Sequence, residues 1–230
     1  MLLLTKDGSH TIQLSDGDIT YHSRHGAIQE SMHVFIEMGL KQFASVAPDM
    51  GLIRVFEMGF GTGLNALLAY RLACQQNIPL SYFGVEKHPL STNIARQLNY
   101  AGMLSPETRQ QQELYDVLMK MHLTPFESAV TINDKFSFQK TNADLTELDD
   151  TAYENKYNVI FYDAFAPNAQ PELWTESIFS KMYAILSNNG LLVTYCSKGD
   201  VRRAMQAAGF TVEKLKGPPG KREMLRARKP

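Results

Sequence analysis

The sequence predicts an α/β fold with a doubly wound, mostly parallel sheet. Short apolar runs alternate with segments of helical periodicity, and one of these runs leads into a glycine-rich turn. A chain of 230 residues, 44% hydrophobic and 20% charged, is long enough to bury one large core. We expect one main domain whose sheet has seven strands.

The first fifty residues are predicted to form an extension ahead of the main domain at 51–230. Segments 11–14 and 18–21 have strand character and flank the turn at 15–17, which predicts a β-hairpin. Apolar residues then recur at helical spacing over 27–47. The extension is therefore expected to contain a hairpin followed by one helix.

The main domain alternates strands and helices. Strands are predicted at 53–57, 80–86, 136–140, 158–163, 191–195, 211–214 and 223–227. Helices are predicted at 64–74, after Pro89, and at 106–121, 171–186 and 200–208. The run 158–163 is almost continuously apolar, as expected for a parallel strand buried on both faces. The connection at 217–220 is too short for a parallel crossover, so the last strand is expected to be antiparallel.

A glycine-rich turn follows the first strand of the main domain. Gly59, Gly61 and Gly63 alternate with larger residues, and Glu57 precedes them. Glycines allow a tight turn and let a ligand lie against the backbone. The dinucleotide fingerprint G-x-G-x-x-G would need glycine where the chain has Leu64. The spacing favours S-adenosylmethionine (SAM) over a dinucleotide, although such turns also occur with other ligands or none.

An acidic residue lies at the end of each of the next three strands or shortly after it. Glu86 can accept hydrogen bonds from both hydroxyls of a ribose, or it is an exposed loop carboxylate. Asp144 can contact an adenine amino group, cap the helical turn that follows it, or do both. Asp163 can orient an amine and accept its proton, or it caps a loop. Burial would raise the pKa of Asp163, and a nearby cation would lower it.

Charge is distributed unevenly along the chain. The net charge is −1, which argues against a protein that is basic overall, but the region 198–230 carries ten basic and three acidic residues. Such a region is typical of binding to a polyanion, and the alternative is a solvated charged face. Cys74 and Cys196 have no metal-ligand spacing. No apolar run approaches the ~18 residues of a membrane span, and the start of the sequence lacks the features of a secretory signal. We expect a cytoplasmic protein with reduced cysteines.

Several separated motifs resemble the methyltransferase domain of the bacterial tRNA wobble-uridine modification enzyme MnmC, and together they cover nearly the whole chain. The motifs are the run from Glu57 to Asn65, Glu86-Lys87-His88-Pro89-Leu90, Asp163-Ala164-Phe165-Ala166-Pro167, Leu173-Trp174, the segment from Ser23 to Ser31 with Val34-Phe35, Val201-Arg202-Arg203, Ala208-Gly209-Phe210, Lys216-Gly217 and the run from Lys221 to Leu225. The resemblance implies a class I SAM-dependent (Rossmann-like) methyltransferase fold.

The resemblance also implies a reaction. SAM methylates the amine of 5-aminomethyl-2-thiouridine at the wobble position of tRNA, which gives 5-methylaminomethyl-2-thiouridine and S-adenosylhomocysteine. No metal is expected. The FAD-dependent oxidase domain of MnmC has no counterpart in this sequence, so the chain resembles the stand-alone form of the methyltransferase domain. We therefore expect no FAD, no membrane partner and a separate enzyme that supplies the amine.

Residue roles follow from the same resemblance. Asp163 is the candidate catalytic residue and also borders the cofactor. The other candidate cofactor-binding residues are Glu57, Gly59, Phe60, Gly61, Thr62, Gly63, Asn65, Glu86, Lys87 and Asp144. The candidate substrate-binding residues are Glu30, Phe165, Pro167, Lys198, Arg202, Arg203, Lys221 and Arg222. Phe165, Tyr21 or Trp174 is expected to stack on the flipped base, with a core role favoured for Trp174.

Two other functions fit parts of the same sequence. A methyltransferase of small, polyamine-like substrates would share the glycine turn, and the acidic main body of the chain suits a cation. A non-catalytic nucleotide-binding module would share the fold. The basic C-terminal region argues against the first, and Asp163-Ala164-Phe165-Ala166-Pro167 at the predicted sheet edge argues against the second.

Overall fold

The N-terminal extension is a two-stranded ribbon followed by a long helix. The computed structural model describes residues 1–14 and 19–230, so the predicted turn at 15–17 lies outside the described residues. Strand β1 (Leu2–Leu4) pairs antiparallel with β2 (His10–Ile12). Within the described residues, an antiparallel bridge between Gln13 and Thr20 joins the two predicted hairpin strands. Regular strand pairing occurs nearer the N-terminus, between β1 and β2. Asp7 Oδ1 closes the turn between these strands because it accepts hydrogen bonds from the Ser9 amide and hydroxyl.

Helix α1 fills the predicted helical segment and changes its winding along its length. It is α-helical over Ala27–Ser31, π-helical over Met32–Lys41 and α-helical again over Gln42–Val46. Gly39 lets the helix approach the sheet closely, since a Cβ there would lie 2.8 Å from Val193 Cγ2. The helix therefore lies directly against the sheet.

The main sheet has eight strands. They are β3 (Ile53–Met58), β4 (Leu80–Val85), β5 (Val130–Asn133), β6 (Phe136–Thr141), β7 (Tyr157–Tyr162), β8 (Leu186–Thr194), β9 (Thr211–Lys216) and β10 (Glu223–Arg228), in the spatial order β5-β6-β4-β3-β7-β8-β10-β9. Strands β6, β4, β3, β7 and β8 are parallel, and β10 is antiparallel to both of its neighbours. The predicted class and the reversed last strand are confirmed. The predicted number of strands, seven, is one too few, because the short β5 adds an antiparallel edge strand.

The remaining helices cover both faces of the sheet. They are α2 (Leu64–Gln76), α3 (Thr92–Ala95), α4 (Tyr100–Leu104), α5 (Thr108–Leu123), α6 (Glu176–Ile185) and α7 (Gly199–Ala207). The helix predicted at 171–186 is divided into a 3₁₀ turn, Pro171–Trp174, and α6. Thr175 separates the two because its hydroxyl caps α6 by accepting a hydrogen bond from the Ile178 amide.

Two apolar cores lie on opposite faces of the sheet. One contains residues of α1, α2 and α5, and the other contains residues of α6 and α7. All six residues of β7 are buried, as predicted for a central parallel strand. Among the described residues, none of the helices is both long and apolar enough to cross a membrane. The carboxyl ends of β3, β4 and β7 meet at one edge, which is where open α/β sheets bind ligands.

Candidate active site

The glycine loop, residues 59–63, depends on backbone conformations that favour glycine. Gly59, Gly61 and Gly63 have φ values of 86°, 50° and 74°. A Cβ at Gly59 would lie 2.8 Å from the Asp163 carbonyl oxygen, and one at Gly63 would lie 3.0 Å from the side chains of Leu118 and Phe60. Glycine is therefore required both for the turn and for the close packing around it.

Two adjoining clefts open at this sheet edge. The first cleft is lined by Tyr21, His22, Met58, Gly59, Phe60, Gly61, Thr62, Leu64, Asn65, Glu86, Asp163, Ala164, Phe165 and Gln170. The second cleft is lined by Ile19, Thr20, Tyr21, His22, Ser23, Glu30, Phe165, Ala166, Asn168, Ala169, Tyr195 and Lys221. Tyr21, His22 and Phe165 border both clefts. The structure thus brings the glycine loop, Glu86, Asp163 and Phe165 together, as the sequence predicts.

Glu86 holds the middle of the glycine loop. Its Oε2 accepts a hydrogen bond of 2.8 Å from the Gly61 amide, and its Oε1 accepts one of 2.7 Å from the His88 amide. Burial raises the pKa of Glu86, and these two hydrogen bonds oppose the shift. The carboxylate is therefore fixed at the edge of the first cleft.

Asn65 links two carboxyl groups at the base of the first cleft. Its Nδ2 donates hydrogen bonds to Glu57 Oε1 at 2.9 Å and to Asp163 Oδ2 at 2.8 Å. Burial raises the pKa of the fully buried Glu57 well above its usual range. Burial therefore disfavours the charged form of Glu57. Within residues 1–14 and 19–230, Asn65 Oδ1 is buried without a hydrogen-bond partner, whereas Glu57 interacts with the Tyr82 hydroxyl.

Asp163 lines the first cleft, and charged residues of the second cleft affect its pKa. Burial, and then the negative charge of Glu30, raise the pKa of its carboxyl group to about 7, while the Asn65 hydrogen bond and the charge of Lys221 oppose the shift. A carboxyl group with this pKa can exchange a proton near neutral pH. Asp163 therefore has the chemistry of a general base.

The second cleft contains a partly buried ion pair. Lys221 Nζ lies 3.0 Å from Glu30 Oε2 and 3.7 Å from the centroid of the Tyr195 ring. Tyr195 donates a hydrogen bond of 2.8 Å to the Ala164 carbonyl. The ammonium group of Lys221, a candidate substrate-binding residue, is turned into the cleft.

Aromatic side chains form the border between the two clefts. The rings of Tyr21 and Phe165 meet edge to face, with centroids 5.1 Å apart. Trp174 is buried and donates a hydrogen bond of 2.8 Å from its indole nitrogen to the Phe165 carbonyl. Its core position is confirmed, and its role is to hold the Phe165 loop. Pro167 lies in the same loop and is partly exposed.

Asp144 and Lys87 lie outside the residues that line the first cleft. Asp144 Oδ1 accepts a hydrogen bond from the Thr146 amide, so the predicted cap is present. Its Oδ2 lies 2.6 Å from Lys87 Nζ, and chiefly this hydrogen bond lowers the pKa of Asp144 to about 2. The cap and the ion pair fix the loop after β6.

The basic residues of the C-terminal region have different surroundings. Lys198 donates a hydrogen bond to Asn168 at the second cleft, and Arg203 pairs with Asp200. Arg222 is exposed, whereas Arg202 is partly buried, and its Nε has no hydrogen-bond partner in the described part of the chain. Lys229 is buried and donates to backbone carbonyls. Part of the basic region thus serves the fold.

Two histidines that the sequence analysis did not single out reach the glycine loop. His22 Nε2 lies 2.6 Å from Thr62 Oγ1, and His122 Nε2 lies 3.0 Å from the Thr62 carbonyl oxygen. A single histidine in a sequence has no spacing that marks it, and these two are one hundred residues apart. Only the fold brings them together.

Comparison with known proteins identifies relatives among tRNA-modifying enzymes. Two curated proteins named "tRNA 5-methylaminomethyl-2-thiouridine biosynthesis bifunctional protein MnmC" are 32% identical to this chain. The protein of Ectopseudomonas mendocina matches over 92% of this chain and 32% of its own length, and that of Methylobacillus flagellatus over 91% and 32%. The chain therefore spans about a third of the length of these relatives.

Solved structures show a related fold. The crystal structure of MNMC2 from Aquifex aeolicus covers all of this chain and 70% of its own, with a TM-score of 0.77 and 24% identity. Spermidine synthase from Thermotoga maritima covers 99% of this chain and 71% of its own, with a TM-score of 0.54 and 13% identity. At these identities the likeness extends to the fold alone.

A family model provides the assignment. The model described as S-adenosyl-L-methionine-dependent methyltransferase matches residues 107–230, which is more than half of the chain. The sheet order and the glycine loop at its carboxyl edge agree with this match. The chain belongs to the family of S-adenosyl-L-methionine-dependent methyltransferases.

Proposed function

We propose that this chain methylates the amine of 5-aminomethyl-2-thiouridine at the wobble position of tRNA. The observation that carries the proposal is the position of Asp163 on the first cleft, where the charges of Glu30 and Lys221 in the second cleft act on its pKa. The chain is also similar to proteins named for this modification. One cleft would hold the methyl donor and the other the target nucleoside. The amine would come from a separate enzyme, in the cytoplasm.

The first cleft fits SAM. The glycine loop lines this cleft, and the lack of side chains at Gly59 and Gly61 lets a ligand approach the backbone. Asn65 borders this cleft and its Oδ1 has no hydrogen-bond partner among the described residues, and Glu86 supplies a carboxylate for the ribose hydroxyls. When bound, SAM supplies a sulfonium methyl group that is already activated for transfer. The contribution of the protein is then mainly alignment.

Asp163 is proposed to orient the acceptor amine and to accept its proton. The amine attacks only in its unprotonated form, so a carboxylate with a pKa of about 7 is suited to take up that proton near neutral pH. Its negative charge also stabilises the nitrogen as it becomes cationic. Glu30, which borders the second cleft, is proposed to contribute to the field around the same nitrogen.

The second cleft is proposed to receive the flipped base. Phe165 and Tyr21 border it and offer aromatic faces, whereas Trp174 is occupied in the core. Lys198, Arg202, Arg203 and Arg222 are proposed to contact phosphates. The Lys221 ammonium contacts Glu30, so a phosphate contact by Lys221 would require that pair to open.

The test uses purified full-length chain, SAM and tRNA isolated from cells that lack the methylation. Nucleoside mass analysis should show conversion of 5-aminomethyl-2-thiouridine to its methylamino form, together with S-adenosylhomocysteine. Asp163→Asn serves as the inactive control. Binding of S-adenosylhomocysteine without methylation of this tRNA would overturn the proposed acceptor while leaving the methyltransferase assignment in place.

A small cationic amine is the second candidate acceptor. Glu30 borders the second cleft and Asp163 borders the first, and the charge of Glu30 acts on the pKa of Asp163. Two carboxyl groups near the junction of the clefts suit an ammonium ion. A panel of polyamines assayed in parallel with the tRNA separates the two candidates. Methylation of a polyamine at a higher kcat/KM than the tRNA would favour this alternative.

A further inference from the structure

Thr62 is the point where two otherwise separate parts of the chain meet the glycine loop. It lies between Gly61 and Gly63, both at positive φ, and is only 1% exposed. Glycines on both sides leave this peptide segment with unusual conformational freedom. The loop therefore depends on contacts from outside to hold one shape.

His122 holds the backbone side of Thr62. Because a carbonyl oxygen can only accept, His122 Nε2 donates the 3.0 Å hydrogen bond to it. Burial lowers the pKa of His122 to about 4, so the ring is neutral near pH 7 and carries its proton on Nε2. The ring also meets Phe60 of the loop edge to face, with centroids 5.1 Å apart.

His22 holds the side chain of Thr62. Its Nε2 lies 2.6 Å from the threonine hydroxyl, in a buried contact. Burial, and then the charge of Lys221, lower the pKa of His22 to about 4, so this ring is also neutral. Thr62 is thus held from two directions by two uncharged imidazoles.

The backbone of each histidine is in turn fixed by a buried polar side chain. The Thr11 hydroxyl accepts from the His22 amide at 2.9 Å and lies 3.3 Å from the His22 carbonyl oxygen. The Lys140 ammonium donates to the carbonyls of Met121 and His122 at 3.0 and 2.6 Å, at the end of α5. Both Thr11 and Lys140 are buried. These supports leave little room for either histidine to move.

We propose that His22 and His122 form a clamp on Thr62 that sets the shape of the glycine loop and hence the affinity for SAM. They are positioning residues that act through Thr62, and His22 also borders the first cleft. The clamp gives the N-terminal extension and α5 a shared role in cofactor binding. The proposal rests on SAM binding by the glycine loop and is independent of the methyl acceptor.

Calorimetric binding of S-adenosylhomocysteine to the full-length chain tests the clamp. We expect His22→Ala and His122→Ala each to weaken binding by about tenfold, which corresponds to about 1.4 kcal/mol. Glutamine at either position can place an amide nitrogen near the former Nε2, so His22→Gln and His122→Gln should recover part of the loss. Because both histidines act on one threonine, the double variant should lose less than the sum of the single losses.

His33→Ala is the matched control. His33 Nε2 also lies within hydrogen-bond distance of a backbone carbonyl, that of Lys216 at 2.8 Å, but it does not border the first cleft. The dissociation constant of His33→Ala for S-adenosylhomocysteine should stay within about twofold of that of the unsubstituted chain. Melting temperatures without ligand show whether each variant is folded. Folded His22→Ala and His122→Ala variants that bind with unchanged affinity would overturn the clamp, whatever their melting temperatures.

Hydrogen exchange on the unchanged chain supplies a second test that needs no substitution. S-adenosylhomocysteine should slow amide exchange at residues 118–124, although none of them lines the first cleft. The clamp predicts this protection because the ligand stabilises the loop that His122 holds. Protection confined to residues that line the cleft would contradict the proposal.

Discussion

The side-chain amide of Asn65 donates a hydrogen bond of 2.8 Å to Oδ2 of Asp163. The same nitrogen reaches Glu57 Oε1 at 2.9 Å, so one amide ties the end of β3 to the end of β7. Asn65 stands in the first turn of α2, directly after the glycine loop. The orientation of Asp163 is therefore coupled to the conformation of that loop.

Replacement of Asp163 by asparagine should separate binding from chemistry. The amide keeps the size of the side chain but cannot accept the proton of the amine. We expect single-turnover methylation to fall by about 100-fold or more, and the affinity for S-adenosylhomocysteine to change by less than about threefold. Asp149→Asn, at an exposed helical cap, is the control. Near-normal turnover by Asp163→Asn would remove this residue from the role.

The pH profile should reveal the electrostatic surroundings of Asp163. With a pKa of about 7, the carboxylate loses its charge as pH falls through neutrality, so kcat/KM should decline on the acid side. The negative charge of Glu30 raises this pKa, so Glu30→Gln should move the acid limb to lower pH. The positive charge of Lys221 lowers the pKa, so Lys221→Gln should move the limb upward.

The pH dependence of kcat/KM, and not that of kcat, is the quantity to compare between variants. It reports the free enzyme and the free substrate, and the ionisation of the free tRNA amine is the same for every variant. An acid limb that stays in place in both variants would mean that another group titrates.

Arginine side chains on the proposed tRNA surface should govern the salt dependence of binding. Each phosphate contact contributes about 0.7 to 0.9 to the slope of log K against log salt. Charge reversal at Arg202, Arg203 or Arg222 should therefore weaken binding and flatten the slope by about that amount. Lys41→Glu provides a control, because Lys41 pairs with Glu37 on α1. Equal slopes for all four variants and the unchanged chain would exclude this surface.

Lys229 should affect stability and leave tRNA binding unchanged. Its ammonium is buried and donates to Asn155 Oδ1 and to the carbonyls of Tyr183 and Leu186, at 2.8 to 2.9 Å. Lys229→Met leaves these acceptors without their donor, so the free energy of unfolding should fall by roughly 2 to 4 kcal/mol in urea titrations. Lys41→Met should cost less than about 0.5 kcal/mol. An unchanged urea midpoint for Lys229→Met would contradict the structural role.

The sheet and the glycine loop were predictable because their signals are local. A buried parallel strand such as β7 is apolar throughout, and glycine at alternate positions marks a tight turn whatever its surroundings. Strands β1 and β5 were missed because they are short, and neither lies in the interior of the main sheet. The boundary between the extension at 1–50 and the domain at 51–230 stays a prediction.

Parts of the site depend on contacts between distant residues and leave no pattern in the sequence. The inward direction of Lys221 is set by Glu30, 191 residues away, and by the Tyr195 ring. His22 and His122 acquire their common target only when the extension and α5 meet the loop. Charge counting and motif spacing carry no information about such contacts.

The ring of Tyr21 forms part of the wall of both clefts, against Gly61 on one side and Phe165 on the other. A single substitution at this position changes at the same time the two clefts that are proposed to hold the methyl donor and its acceptor. Selection for a new acceptor through residue 21 would therefore have to preserve the fit of the cofactor. In this lineage, altered acceptor preference is expected to arise first at positions that border the second cleft alone, such as Glu30, Asn168 and Tyr195.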